Sequence, residues 1–323
     1  MDRPGALAAL RTAVADFAGI RLAGTRSWCV ALSGGPDSLA LTAAAAVALP
    51  TTALIVDHGL QSGSEAVAET ARRQAMGLGC VAATVLRVQV GSQGGPEAAA
   101  RSARYAALEA ARAGAPVLLA HTLDDQAETV LLGLGRGSGP RSIAGMRSCD
   151  PPWYRPLLGV RRRSTRAACA ELGLTAWDDP HNRDPRFTRV RLRTEVLPLL
   201  EEVLGGGVAE ALARTASALR EDTDTLDSLA AADLAGATSG AGVDVTAIQD
   251  LPEALRRRVI RAWLLTGGAT GLSDGQIRGV DHLVTAWRGQ GGVAVGCEVP
   301  HTRLFAERRG MTLVLRSEPV RLS

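Results

Sequence analysis

The chain has 323 residues, of which 46% are hydrophobic and 21% charged, an ordinary balance for a globular protein long enough for two domains and a sizeable core. Its longest apolar stretch, 39–49, is broken by Thr42 and is too short to cross a bilayer; the first residues, with Asp2, Arg3, Arg11 and Asp16, lack a signal-peptide pattern. Five scattered cysteines (Cys29, Cys80, Cys149, Cys169, Cys297) form no C-x-x-C pair, so neither a disulfide framework nor a zinc site is expected, and a cytoplasmic protein without a membrane partner is.

From residue 28 onward short apolar runs alternate with longer alanine-rich helical patterns. Strands are predicted at 28–32, 53–56, 84–88 and 116–120, with helices near 38–49, 64–78 and 96–113 and a fourth opening at Asp124. This alternation predicts an α/β fold with a doubly wound parallel sheet, in which ligands gather beyond the carboxyl ends of the strands. Three polar clusters fall at such ends: the loop after Leu32, the pair Asp57-His58, and His121.

Farther on, residues 155–193 hold ten arginines against four acids, a local excess of +6 that marks a candidate nucleic-acid footprint. All 36 basic residues of the chain are arginine, which codon bias in a GC-rich genome accounts for, but bias does not explain this clustering. Beyond Pro198, Gly205-Gly206-Gly207 reads as a break, followed by helical patterns near 208–234, 252–265 and 273–288. The last opens with the capping-box spacing Ser273-x-x-Gln276, and the tail reads as a short hairpin. A catalytic domain over 1–202 and a smaller, mainly helical domain over 203–323 are expected.

The first loop carries the chemistry. Ser33-Gly34-Gly35-Pro36-Asp37-Ser38 lies between a strand and a helix but lacks the lysine of the Walker loop. Two adjacent glycines let backbone N–H groups turn onto an anion, two serines add hydroxyls, and the helix start adds its positive end. An aspartate inside a phosphate site calls for a cation, so Asp37 predicts Mg²⁺ shared with phosphate oxygens.

The loop resembles the PP-loop of the ATP pyrophosphatase superfamily, whose members cleave ATP between the α and β phosphates. With it, "VDHGL" (56–60), "PEAAARSARYAAL" (96–108), "AHTLDDQAETVLLGLGRGSG" (120–139), "RPLLGVRR" (155–162) and "WDDPHNRDPRFTRVRLRTEVLPLL" (177–200) are similar to the tRNA(Ile)-lysidine synthetase family, strongly over 28–200 and weakly beyond. The resemblance implies ATP and Mg²⁺, free L-lysine, and tRNA(Ile) with a CAU anticodon, its C2 oxygen adenylated at the wobble cytidine before the lysine ε-amine displaces AMP. That amine, with a pKa of about 10.4, must lose a proton before it attacks, so carboxylates belong in its site.

Asp124, Asp125 and Glu128 are the candidates, acids that a helix N-terminus also favours for its dipole. By resemblance Asp125 and Glu128 hold the lysine ammonium, with Asp125 the proton acceptor, and His121 contacts the ATP phosphates. Arg101, with Arg104 and Tyr105 close to the same helix face, would brace phosphate charge, and Asp57 and His58 would lie by the adenosine. The segment Gly135-Arg136-Gly137-Ser138-Gly139 would be a mobile loop near nucleotide or RNA. Arg155, Arg161, Arg162, Arg163, Arg189 and Arg193 are the expected tRNA contacts, with Arg256, Arg257, Arg258 and Arg261 a further basic helix.

The chain departs from the family pattern in three places: His121-Thr122 for two histidines, Asp179-Pro180-His181-Asn182 for Asp-x-Ser-Asn, and Arg189-Val190-Arg191-Leu192-Arg193 for Arg-Asn-x-x-Arg. The rival readings are a tRNA thiolation enzyme, which normally calls for paired cysteines or a cluster, a small-molecule synthetase, which has no use for an arginine-rich flank, and a nucleotide sensor without catalysis.

Overall fold

The computed structural model describes residues 5–320 apart from 60, 62, 92–94, 138 and 241. Two compact units divide between Ser217 and Ala218.

The first unit opens with helix α1 (Ala6–Arg21), whose first amides donate to the Glu171 carboxylate, Ala6 N at 2.6 Å and Leu7 N at 3.0 Å. Then follow β1 (Trp28–Ala31), α2 (Pro36–Ala48), β2 (Thr51–Asp57), α3 (Ser64–Gly77), β3 (Ala82–Arg87), α4 (Pro96–Ala111), β4 (Val117–Leu118), α5 (Leu123–Gly135), α6 (Pro140–Ile143), β5 (Cys149–Asp150), β6 (Trp153–Tyr154) and α7 (Arg162–Glu171). A short 3₁₀ turn (Pro180–Arg183), α8 (Thr188–Arg191), a π turn (Leu192–Val196), α9 (Leu197–Val203) and the start of α10 (Val208–Ala237) complete it.

The strands align in the order β3-β2-β1-β4-β6-β5, parallel except for β5. Alternation along β1 sends Trp28 and Val30 into a core with residues of α1, α2, α3 and α7, and Cys29 and Ala31 into a second core with Leu108 of α4. Helices therefore cover both faces, as the alternating sequence predicts. The order turns back between β1 and β4, so the loops leaving these two strands flank a topological switch point, where such sheets bind ligands.

A boundary is expected near residue 203, yet compact packing carries the first unit to Ser217. The reason lies in α10, whose Ala209, Leu212 and Ala213 join a small core with Leu123 and Ala127 of α5 and Leu197 of α9.

The second unit continues α10 and adds β7 (Thr238–Ser239), β8 (Gly242–Asp244), α11 (Val245–Ile248), α12 (Glu253–Thr266), β9 (Ala269–Thr270), α13 (Asp274–Thr285), β10 (Val293–Cys297), β11 (Thr302–Arg309) and β12 (Thr312–Pro319). The expected terminal hairpin is β11–β12, and it forms the middle of a larger antiparallel sheet, β7-β8-β12-β11-β10-β9. Val295, Leu304, Ala306 and Leu313 pack from this sheet onto Ile260, Trp263 and Leu264 of α12 and Val280 and Leu283 of α13. The capping box of α13 forms, with Gln276 N donating to Ser273 Oγ at 3.2 Å and Ser273 N to Gln276 Oε1 at 2.8 Å.

The arginines of α12 depart from the expected phosphate-gripping face. Arg256 is buried and donates to Asp281 at 2.6 Å, Arg257 pairs with Glu253 and Asp281, and Arg258 pairs with Asp227 at 3.2 Å. These guanidiniums join helices to one another and have acidic partners already.

Candidate active site

The phosphate loop runs from Ser33 to Ser38, at the end of β1. Gly34 has φ +81°, a left-handed conformation that glycine alone adopts freely, and its carbonyl accepts from Trp177 N at 2.9 Å. Ser38 Oγ braces the turn, accepting from Ser33 N at 3.2 Å and donating to Gly35 O at 3.0 Å. Pro36 occupies the first turn of α2, where its missing N–H costs nothing, and Asp37 follows it.

Asp37 points toward α7. Thr165 Oγ1 donates to its Oδ1, and Arg162 Nε stands 3.4 Å from its Oδ2. Burial pushes the Asp37 carboxyl up, against the opposing pull of Thr165 and Arg162.

At the end of β2, Asp57 is buried and its Oδ1 accepts from Gly59 N at 3.0 Å. Burial first, and then the positive charge of Arg104, lower the pKa of His58. Both side chains line a cavity of about 280 Å³ with Ser33, Val56, Arg104, Trp177 and His181. A second cavity of about 750 Å³ shares Ser33, Arg104 and Trp177 with it. Its walls carry Gly35, Pro36, Asp37, Ser38, His121 and Asp125, so the loop after β1 and the residues after β4 meet across the switch point. His121 is pushed down to about 4, first by burial and then by Arg155, Arg104 and Arg101 against the pull of Asp125. It is a neutral imidazole at physiological pH.

Thr122 caps α5. Its N and Oγ1 donate to Asp125 Oδ2 at 2.8 and 2.7 Å, which fixes that carboxylate at the helix start. The other oxygen, Oδ1, accepts from Arg162 Nη2. Burial alone would raise Asp125, but Arg162 and the Thr122 hydrogen bonds outweigh it and hold the carboxyl below its usual range. Glu128 has 0% exposure and accepts from Arg162 Nη1 at 3.2 Å, Arg193 Nε at 2.8 Å and Arg193 Nη2 at 3.2 Å. Glu128 does not line either cavity. The structure does not bring Glu128 to the cavity wall with Asp125: two guanidiniums stand against it and its side chain is enclosed.

The arginines expected to bind tRNA divide. Arg155 is buried, with Nη1 donating to Arg147 O at 2.8 Å; Arg162 is largely buried among carboxylates, and what remains of it lines the larger cavity. Arg161 pairs with Glu210 at 3.0 Å, Asp124 at 3.4 Å and Glu201 at 3.5 Å. Arg193 is committed to Glu128 but also lines the larger cavity. Only Arg163 and Arg189 of the six are exposed.

Arg101 is exposed as well, its guanidinium 5.0 Å over the Tyr105 ring. The arginine of α4 that reaches both cavities is Arg104, one turn further along. A three-residue step puts both on one face, so spacing alone did not choose between them. Thr165 and Trp177 also escaped the sequence reading: one lies in a polar helix with no motif, the other opens "WDDP" ahead of its acids. Of the segment 135–139, Gly135 ends α5 and Gly139 precedes α6, while Ser138 lies outside the described residues. The side chain of Glu97, which spacing pairs with Arg101, also lies outside them.

A parallel sheet whose glycine-cornered loop opens onto a cavity at its switch point defines a nucleotide-using PP-loop protein. The PP-loop domain family matches residues 8–200, and the TilS substrate binding domain family matches residues 244–308. The tRNA(Ile)-lysidine synthase of Mycolicibacterium paratuberculosis is 71% identical over 321 residues, 99% of this chain and 100% of that protein. That of Mycobacterium leprae is 67% identical over 323 residues, and that of Rhodococcus erythropolis 60% identical over 314. The fold is also similar to the U34-tRNA thiolase NcsA of Methanococcus maripaludis, with TM-score 0.54 and 17% identity over 67% of this chain and 80% of that one. The chain belongs to the tRNA(Ile)-lysidine synthase family.

Proposed function

We propose that this chain uses ATP to adenylate the C2 oxygen of the wobble cytidine in tRNA(Ile) bearing a CAU anticodon, then joins free L-lysine to that carbon. In the first step the oxygen attacks the α-phosphorus and pyrophosphate departs. In the second the ε-amine attacks C2, the C2–O bond breaks, and AMP leaves with the former carbonyl oxygen; the amine gives up its protons to base and solvent.

The observation that carries the reading is the pair of adjoining cavities. The smaller, walled by Val56, Asp57 and His58, suits the adenosine; the larger, walled by the phosphate loop, His121 and Asp125, suits the phosphates, the base and the amine. Arg104, shared by both, is placed to brace phosphate charge between them. His121, being neutral, serves the phosphates as a hydrogen-bond donor and not as a counter-charge. Asp125 stays ionised, which suits it to hold the ammonium; a proton it accepts must pass on quickly.

The residues fit Mg²⁺. Among the described residues no three His, Cys, Asp or Glu side chains form a metal cage. Mg²⁺ is commonly held by one or two carboxylates with phosphate oxygens and waters, and Asp37 at the loop supplies such a carboxylate, retaining lone pairs beyond its contacts with Thr165 and Arg162. When bound, the ion would neutralise charge on the departing diphosphate.

Sulfur delivery finds no support in Cys80 or Cys169, which burial pushes up to about 11, far from a reactive thiolate. Among the described residues no helix is long and apolar enough to cross a membrane, and a cytoplasmic location belongs to this proposal. The test is incubation of the chain with ATP, Mg²⁺, lysine and a tRNA(Ile) transcript. AMP, pyrophosphate and a lysine-bearing cytidine are expected; release of ADP, or pyrophosphate formed without RNA, would refute the reading.

A further inference from the structure

Arg162 sits where sequence places an RNA contact, yet its side chain turns inward and all three guanidinium nitrogens meet acids. Nε faces Asp37 at 3.4 Å, Nη1 donates to Glu128 at 3.2 Å, and Nη2 donates to Asp125. Its backbone N donates to Asp124 Oδ2 at 2.7 Å, so the main chain at the start of α7 is tied to the same helix as the side chain. Asp37 belongs to the phosphate loop side and Asp125 and Glu128 to α5.

Three carboxylates from two elements repel one another unless a cation joins them. Substrate cations arrive only with nucleotide and amine, whereas Arg162 is present throughout. With Arg193 on Glu128, the cluster counts three carboxylates against two guanidiniums, which leaves one negative charge for an incoming cation.

We propose that Arg162 is a positioning residue for both half-reactions, a single guanidinium fork that holds the phosphate-side carboxylate Asp37 in register with the amine-side carboxylates Asp125 and Glu128. The inference rests on the reading given under Proposed function. The planar fork matters as well as the charge, because an ammonium on a flexible stem cannot present three fixed donors to three separate acids.

The test compares wild type with Arg162→Lys and Arg162→Ala, using melting temperature as the control for folding. Wild-type pyrophosphate release with tRNA(Ile) comes first: its absence would defeat the functional reading and not this inference. Arg162→Lys keeps the charge and is expected to lose about 100-fold in both pyrophosphate release and lysine transfer, the scale of a misplacement of about 1 Å. In Arg162→Ala, millimolar methylguanidine should restore part of the rate and methylammonium should not. Full activity in Arg162→Lys, or a folded Arg162→Ala that methylguanidine fails to rescue, overturns the proposal. So does a loss confined to salt-sensitive tRNA affinity, which would return Arg162 to the RNA surface.

Discussion

Glu128→Gln separates an anchor from a ligand. The carboxylate is wholly enclosed and takes three donors from two arginines, so the change removes a charge and keeps nearly the same shape. Breaking a buried ion pair from one side costs about 3–5 kcal/mol. Here the side chain of Arg193 is 28% exposed and recovers some hydration, Arg162 keeps two other carboxylates, and glutamine still offers one acceptor. A loss of about 2 kcal/mol is therefore expected. For a folding unit of this size that is a fall in melting temperature of about 4–8 °C, measured by calorimetry on the full chain. Pyrophosphate release and lysine transfer should decline together, with KM for lysine close to wild type, because Glu128 acts through Arg162 and Arg193. An unchanged melting temperature with a raised KM for lysine and intact adenylation would refute the reasoning and make Glu128 a direct ligand.

Asp125→Asn should reduce lysine transfer more than adenylation, seen as adenylated tRNA accumulating in single-turnover experiments; equal loss of both steps would remove the division of labour. Arg163→Ala with Arg189→Ala should weaken tRNA binding and flatten its salt dependence by about one unit of log–log slope per lost phosphate contact, whereas Arg155→Gln, being buried, should act through stability instead. His121 has its folded pKa lowered to about 4 from the usual 6.5, so its stabilising contribution is present above pH 6.5 and is lost as pH falls toward 4. His121→Gln should therefore shallow the acid side of the stability curve; a variant curve parallel to wild type over that window would contradict the burial argument.

The fold of the first unit was legible because its signals are local. Strand and helix periods differ, and alternating them leaves few arrangements other than a parallel sheet covered on both faces. Even so β4, expected over 116–120, is a strand only at Val117–Leu118. The second unit was less legible, since β7, β8 and β9 have only two or three residues each and carry no readable period. The extent of the first unit was hidden for a related reason. Gly205-Gly206-Gly207 does break the chain, but the apolar face of α10 that follows it returns to α5, a long-range contact that composition does not encode.

The site was legible where chemistry is carried by the backbone and blurred where it depends on partners. Glycine at Gly34 is demanded by its φ, so the loop announces itself. A run of arginines announces only a number of charges. Among these, Arg155, Arg161, Arg162 and Arg193 turn out to hold carbonyls and carboxylates inside the first unit, because Asp37 and Asp125 at the cavity wall and Glu128 enclosed behind it need internal cations before any ligand arrives. The departures from the family pattern follow the same logic. Threonine in place of a second histidine costs nothing at position 122, since what the position supplies here is the hydroxyl and amide that close the capping box on Asp125. His181, in the altered Asp-x-Ser-Asn segment, lines the smaller cavity, and Gln61 bonds to both its ring and Asp179, so that substitution keeps a polar wall on that cavity.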